Sequence, residues 1–381
     1  MSLRVEPCTD LEELFKVWSP TYRDNAPVTI EPDKPRHDEA FAARIDGRIV
    51  GAFASLPMVV TREKAELRCA GIAGVAVLPH ERQHGVGKAM MEHGIRHYRE
   101  AGYELASLYA FSEKFYRKFG YEVAGYKYGI KVDMGRFPRF ELTMPTAKLG
   151  AADRDQVRDC YETFARRRSG MNLRPQNQWD RIIQLDSNKA IYTVGEPVEA
   201  YAIVTHDWNF WVEQKVDEFV WTTQRGYESL LSVLSGIGIN KTHLSWVEPS
   251  DSPYRAKHWD RGAELNAGSG YLMWRVLNVP KALSSLKPQG TGSFTIEVRD
   301  EHFAENQGPW RIEYSPDGVS VAPASNAGLV MDIRQFSQAF MGQPGLMDLA
   351  LNGLIEVRSD ADLLAAAGLL SAQPVCCLDA F

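Results

Sequence analysis

The run Val75-Ala76-Val77-Leu78-Pro79-His80-Glu81-Arg82-Gln83-His84-Gly85-Val86-Gly87-Lys88 reads as a strand passing through a glycine-bearing loop straight into a helix. The loop has the form Arg-x-x-Gly-x-Gly. Glycines let backbone N–H groups come close to an anion, and the helix that follows presents the positive end of its dipole. Arg82, His84 and Lys88 can add charge-assisted contacts. Together these make a cradle for a pyrophosphate. The loop lacks the Lys-Ser/Thr ending of a P-loop. It also lacks the third glycine and the early strand–helix–strand setting of a dinucleotide fingerprint. A tight structural turn is the competing explanation of the glycines.

Working outward, Glu66–Val77 is the strand that enters this loop, and a helix is predicted from about Gly87 to Ala101. Val86, Met90, Ile95 and Tyr98 keep roughly helical spacing along it. Upstream, Thr9-Asp10-Leu11-Glu12 reads as a capping box that opens a helix through Trp18, with Pro20 as its stop. Phe41–Asp46 and Ile49–Val60 read as strands joined at Asp46-Gly47, a hairpin-turn pair. Downstream, Leu105–Ala110 is a strand, Glu113–Phe119 a short helix ended by Gly120, and Tyr121–Met134 a closing strand pair.

Beyond Phe137-Pro138 and Met144-Pro145 the pattern changes. Ala152–Arg167 reads as a helix, followed by an aromatic, strand-rich region holding Trp208, Trp211, Trp221, Trp246 and Trp274. Large aromatics dominate the interiors of β domains, so these are read mostly as core. A further change near Pro280 leads into strands (Ser293–Arg299, Trp310–Tyr314, Gly318–Ala322) and then helices (Met331–Phe340, Ala361–Leu370), an α+β pattern.

Bulk properties fit a folded chain of two or three domains: 381 residues, 44% hydrophobic and 24% charged. A net charge of −6 gives no basic excess of the kind that nucleic-acid binders show. Arg166–Arg168 reads as a solvated or internally paired helix face. The five cysteines are scattered, without the spacing of a disulfide framework or a zinc site. His93 and His97 could share a metal on one helix face but have no evident third ligand, so no metal is expected. No G-x-S-x-G elbow is present. No apolar run approaches the ~18 residues of a membrane span, and no secretory h-region is visible at the N-terminus. The cytoplasm is the expected location.

The 75–88 stretch resembles the GNAT acetyltransferases. A second segment, Leu108-Tyr109-Ala110-Phe111-Ser112-Glu113-Lys114-Phe115-Tyr116-Arg117-Lys118-Phe119-Gly120-Tyr121-Glu122, is similar to the FYRKFGYE signature of the Eis (enhanced intracellular survival) acetyltransferases. Ala165-Arg166-Arg167-Arg168-Ser169-Gly170 resembles the opening of that family's central domain, and the chain ends on an aromatic, Phe381. The resemblance implies α/β and α+β architecture: two fused GNAT-like domains followed by a sterol-carrier-protein-like domain. We place these at 1–145 (acetyl-CoA binding), 146–285 (wall of the acceptor pocket) and 286–381 (supplying the C-terminal carboxylate).

It also implies site roles. Val75, Ala76 and Val77 would contact the pantetheine arm of acetyl-CoA, and Arg82, Gln83, His84, Gly85, Val86, Gly87 and Lys88 would wrap its pyrophosphate. Phe111 and Ser112 align near the thioester. Tyr116 would protonate the leaving thiolate, although a tyrosine in such a Phe/Tyr cluster is ordinarily a core residue. The α-carboxylate of Phe381 would take the proton of the attacking amine, and Asp24 is a candidate acceptor-site carboxylate. Some members of the family carry an acid just before the terminal Phe. Here Ala380 stands there and Asp379 one step earlier. The implied activity is N-acetyl transfer to an aminoglycoside-like, polyamine or lysine amine, in a homo-oligomer such as a hexamer. The rival expectation is a non-catalytic CoA- or lipid-binding scaffold.

Overall fold

The structure is a computed structural model, and it describes residues 2–22, 39–148, 154–183, 188–260, 263–267, 272–379 and 381. Among these residues the strands form three sheets. The first runs in the order Leu3–Pro7, Glu39–Ile45, Arg48–Arg62, Ala65–Val77, Leu105–Tyr109, Leu272–Val276, Glu122–Val123. The second runs Ala263–Ala267, Lys127–Asp133, His243–Pro249, Glu213–Trp221, Ala200–Thr205, Lys189–Val194, Thr146–Lys148. The third has five strands, with Gly292–Arg299 at its centre.

The first two sheets repeat one plan. In each, a strand leads through a helix (Val86–Glu100 or Gln224–Ile237) into a parallel neighbour. In the first sheet the parallel pair holds over Cys69–Ile72 with Leu105–Leu108, and no partner follows for the rest of Ala65–Val77 on that side. The strands therefore fork. In the second sheet the parallel register covers Glu213–Lys215 with His243–Ser245. Phe219, Trp221, Tyr227 and Trp246 pack around its fork as a ring cluster.

Two strands cross between the halves. Lys127–Asp133, expected to close the first sheet, instead joins the second between His243–Pro249 and Ala263–Ala267. Leu272–Val276 travels back and pairs with Leu105–Tyr109 in the first. Each strand alternates buried and half-exposed residues or is buried throughout, so either sheet satisfies its pattern. Only long-range pairing decides between them.

The N-terminal helix runs Leu11–Tyr22 and includes Pro20, which does not stop it. Pro20 lies in the last turn, where one lost backbone bond is tolerable. The Thr21 hydroxyl donates to the Val17 carbonyl there, at 2.8 Å. The cap is Asp10, whose carboxylate accepts the Glu13 N–H at 3.1 Å. Trp221, Trp246 and Trp274 are core as expected, but Trp208 and Trp211 are 75% and 74% exposed. They sit on a surface loop that Lys241 fixes by donating to the carbonyls of Asp207 and Asn209.

The third sheet and its helices share one core with the first sheet, from Met58, Leu67 and Trp274 to Phe336 and Phe340. Buried Arg62 donates to the carbonyls of Phe340 and Leu370, and the fully buried pair Arg275–Asp300 closes at 2.9 Å. No helix among the described residues is long and apolar enough to cross a membrane.

Candidate active site

The Ala65–Val77 strand carries a bulge where Ala54 pairs with Ala73 and Ala52 with Ala76. One extra residue on this strand turns its backbone outward at the fork. Two aromatic side chains from the N-terminal helix hold the turned carbonyls: Trp18 Nε1 donates to Gly74 O at 2.6 Å, and the Tyr22 hydroxyl to Val75 O at 2.7 Å. Below the strand, Gly85 sits in the left-handed region at φ 80° and begins the Val86–Glu100 helix with no side chain capping it. The first N–H groups of that helix are thus open to a ligand. The corresponding helix of the second sheet is closed, because Thr223 Oγ1 accepts the Gly226 N–H at 3.1 Å.

Bulge and helix end bound a cleft of about 510 Å³. It takes in Val75, Ala76, Val77, Arg82, Gln83, Gly85, Val86, Gly87, Lys88 and Phe111, together with Thr21, Tyr22, Glu81 and Phe115. His84 is not on its wall; its Nδ1 lies 3.6 Å from Glu81. Ser112 N-caps the helix Glu113–Arg117 and accepts the Phe115 and Tyr116 N–H groups through its carbonyl. Tyr116 is also off the wall. It is 2% exposed, packed edge-on to Phe111 and Phe115, and its hydroxyl makes no hydrogen bond among the described residues. Burial, then the neighbouring Tyr22 and Tyr121, pushes its pKa well above the usual phenol value. Asp24 lies outside the described residues.

Phe381 lies on the other face of the same sheet. Its ring is 5.2 Å from that of Tyr109 and packs over Gly71. The tail that brings it there is fastened along its length. Cys376 N donates to Ser169 O, Lys127 Nζ to Cys377 O, and the Tyr109 hydroxyl to Asp379 O. A Cβ at Gly71 would stand 2.9 Å from Met58 Cε and 3.1 Å from the Phe381 ring. Gly71→Val is therefore expected to evict the ring at a cost of about 1–3 kcal/mol of stability, and an unchanged Tm would show that the ring does not press on this strand.

Beside Phe381 is a second cavity of about 350 Å³, walled by Leu56, Ile182, Ile203 and Leu378 and by charged groups. Its floor is a buried ion triad that the sequence did not announce. Arg174 Nε donates to Asp379 Oδ1 at 2.8 Å, while its two terminal nitrogens reach both oxygens of Glu218 at 3.1 and 2.5 Å. Gln178 also donates to Asp379 and Tyr201 to Glu218, while the Tyr161 hydroxyl lies 3.4 Å from Asp379 and donates to Asn172 O at 2.8 Å. Burial disfavours the Arg174 charge, but Asp379 and Glu218 outweigh it and raise its pKa. Arg174 likewise overcomes burial to lower the pKa of Glu218. Asp379, with burial and the Glu218 charge against it, is pushed upward. Glu218 is thus the firmly ionised partner.

Comparison with known proteins agrees with this architecture. A GNAT acetyltransferase domain matches residues 5–124, and a sterol carrier protein domain matches residues 279–378. The chain is 24% identical to an uncharacterized N-acetyltransferase of Streptomyces avermitilis, over 87% of this chain and 86% of that one. It is 26% identical to N-acetyltransferase Eis of Mycobacterium tuberculosis, over 78% and 76%. A GCN5-related N-acetyltransferase from Anabaena variabilis shares the fold over the full length of both chains, with a TM-score of 0.88 at 17% identity. With two fused GNAT-like sheets and a sterol-carrier-like third domain, the chain carries a GNAT acetyltransferase domain and is similar over most of its length to Eis and other N-acetyltransferases.

Proposed function

We propose that the enzyme transfers an acetyl group from acetyl-CoA to a primary amine by direct attack, the acceptor being a small aminoglycoside-like or polyamine cation or a lysine side chain. The observation that carries this reading is the fork itself. An uncapped helix end and a bulged strand lie on one face of it, and the C-terminal Phe381 lies on the other. Val75, Ala76 and Val77 would receive pantetheine as another strand would, its amide replacing the Tyr22 hydroxyl on the Val75 carbonyl. The N–H groups from Arg82 to Lys88 would hold the pyrophosphate, with the Arg82 and Lys88 side chains adding charge. Phe111 and Ser112 would flank the thioester.

In the reaction the amine nitrogen bonds to the thioester carbon, the C–S bond breaks, and amide and CoA leave. A chain-terminal carboxyl ordinarily titrates at about 3.3–3.7, so its carboxylate is a weak base toward an ammonium. The Phe381 carboxylate therefore acts mainly by orienting the amine and receiving its proton once the C–N bond has made that proton acidic. The residues of the second domain would wall the acceptor cavity, and its own helix end is closed by Thr223. Asp24 remains a candidate acceptor contact on sequence grounds alone.

Thiol release from acetyl-CoA is expected with at least one of an aminoglycoside, a polyamine or a lysine peptide. A chain extended by one glycine past Phe381 is expected to lose roughly 10²-fold in kcat, because its carboxylate moves off the amine. Full activity in the extended chain would remove the terminal carboxylate from the mechanism, and tight acetyl-CoA binding with no amine-dependent turnover would count against the whole reading.

A further inference from the structure

The charges left over in the cavity beside Phe381 are of both signs. Asp379 and Glu218 are already committed to Arg174, with side chains 5% and 9% exposed against 1% for the arginine. They are not free to meet a polycation. What remains is Phe381, whose carboxylate the proposed reaction uses, exposed Asp217, which accepts from the Thr205 hydroxyl at 2.6 Å, and Lys189. Lys189 is half-buried at the start of the strand Lys189–Val194, and its charge is among those that favour ionised Glu218. Arg181 also lines the cavity. Between the charged groups run aliphatic walls from Leu56, Ile182, Ile203 and Leu378.

Building on the acetyltransferase reading, we infer that the acceptor is a small zwitterion: an amine that meets the Phe381 carboxylate, an aliphatic spacer along the apolar wall, and a carboxylate that meets Lys189. A polyamine or aminoglycoside would set a second cation beside Lys189, with the exposed Asp217 left to offset both, which is the less favourable pairing. An acceptor with its own carboxylate converts that clash into a charge-assisted hydrogen bond.

The test is thiol release from acetyl-CoA with a set of equal chain length, 6-aminohexanoate, hexylamine and 1,6-diaminohexane, with kanamycin as the polycation. Wild type is expected to prefer 6-aminohexanoate over each of the others by at least about tenfold in kcat/KM, the scale of one such bond. Lys189→Met is expected to bring the aminohexanoate and hexylamine values within about twofold, and Lys189→Glu to reverse the order in favour of 1,6-diaminohexane. Acetyl-CoA affinity, measured separately, reports that both variants are folded. A wild-type preference for the diamine or kanamycin, or an order unchanged in both variants, would overturn the inference and leave the acetyltransferase reading standing. Thiol release with a lysine peptide but with no amine of the set would overturn the inference alone, and release with neither would overturn both.

Discussion

Tyr116→Phe is expected to lower kcat by about 10²–10³-fold, the usual cost of removing one donor aimed at developing charge. The argument begins with burial. The ring is held by Phe111, Phe115 and Tyr121, so Phe fills the same space. The hydroxyl has no partner among the described residues, so its loss strands no buried group and the fold should be as stable as before. Burial, helped by Tyr22 and Tyr121, raises the phenol pKa. A raised pKa favours the neutral form, so Tyr116 keeps its proton as pH rises and does not set an alkaline limb of the rate profile. It also makes Tyr116 a weaker acid than a thiol, whose pKa is about 8.5. Complete transfer to the departing sulfur would then be uphill, and in the role we propose for it the hydroxyl would act chiefly by donating a hydrogen bond as charge grows there. Single-turnover rates with saturating acetyl-CoA measure this directly, and an unchanged rate at unchanged acetyl-CoA affinity would sink the assignment.

What the sequence revealed of this site was its local part. Strand, loop and helix at 75–88 are contiguous, and Gly85 carries its reason in its left-handed backbone, whereas Gly87 is constrained by the Phe115 ring, 3.2 Å from where a Cβ would stand. The bulge that opens the Val75 carbonyl is not readable, because it depends on Trp18 and Tyr22 arriving from the N-terminal helix. Tyr22 is two residues from the candidate Asp24 in the sequence, and its aromatic character is the signal there. The crossing of Lys127–Asp133 into the second sheet was hidden for a similar reason. Its alternation fits either sheet, and the choice is made by partners at 243–249 and 263–267. Trp208 and Trp211 misled because aromatic content reports the interior on average. It does not report a loop held rigid by a lysine on its own carbonyls. Asp379 was noticed as an acid one place early; its partner, 205 residues away, could not be.

That partner supports the second large effect. Arg174→Met is expected to lower Tm by about 10 °C, since breaking a buried ion pair from one side costs roughly 3–5 kcal/mol. The methionine can fill much of the volume between Tyr161 and Trp179, over which the guanidinium now lies at 3.9 and 5.0 Å. It cannot offset the charges of Glu218 and Asp379, which are left buried. Asp379 is two residues from Phe381, and its backbone carbonyl is the one that Tyr109 holds. Loosening Asp379 should therefore also release Phe381 from its seat over Gly71, with a loss of about 10²-fold in kcat, the scale of an ångström-sized misplacement. Stability and positioning separate in the triple variant Arg174→Met, Glu218→Gln, Asp379→Asn. Without charge, the buried cluster should recover most of the lost Tm, because apolar or neutral replacements of a buried ion group are often well tolerated. The anchor of the tail is still missing, so kcat should stay low while the acetyl-CoA KM, set on the opposite face of the sheet, stays near wild type. Recovery of kcat together with Tm would show that Arg174 serves the fold alone and that the terminal carboxylate finds its place without it.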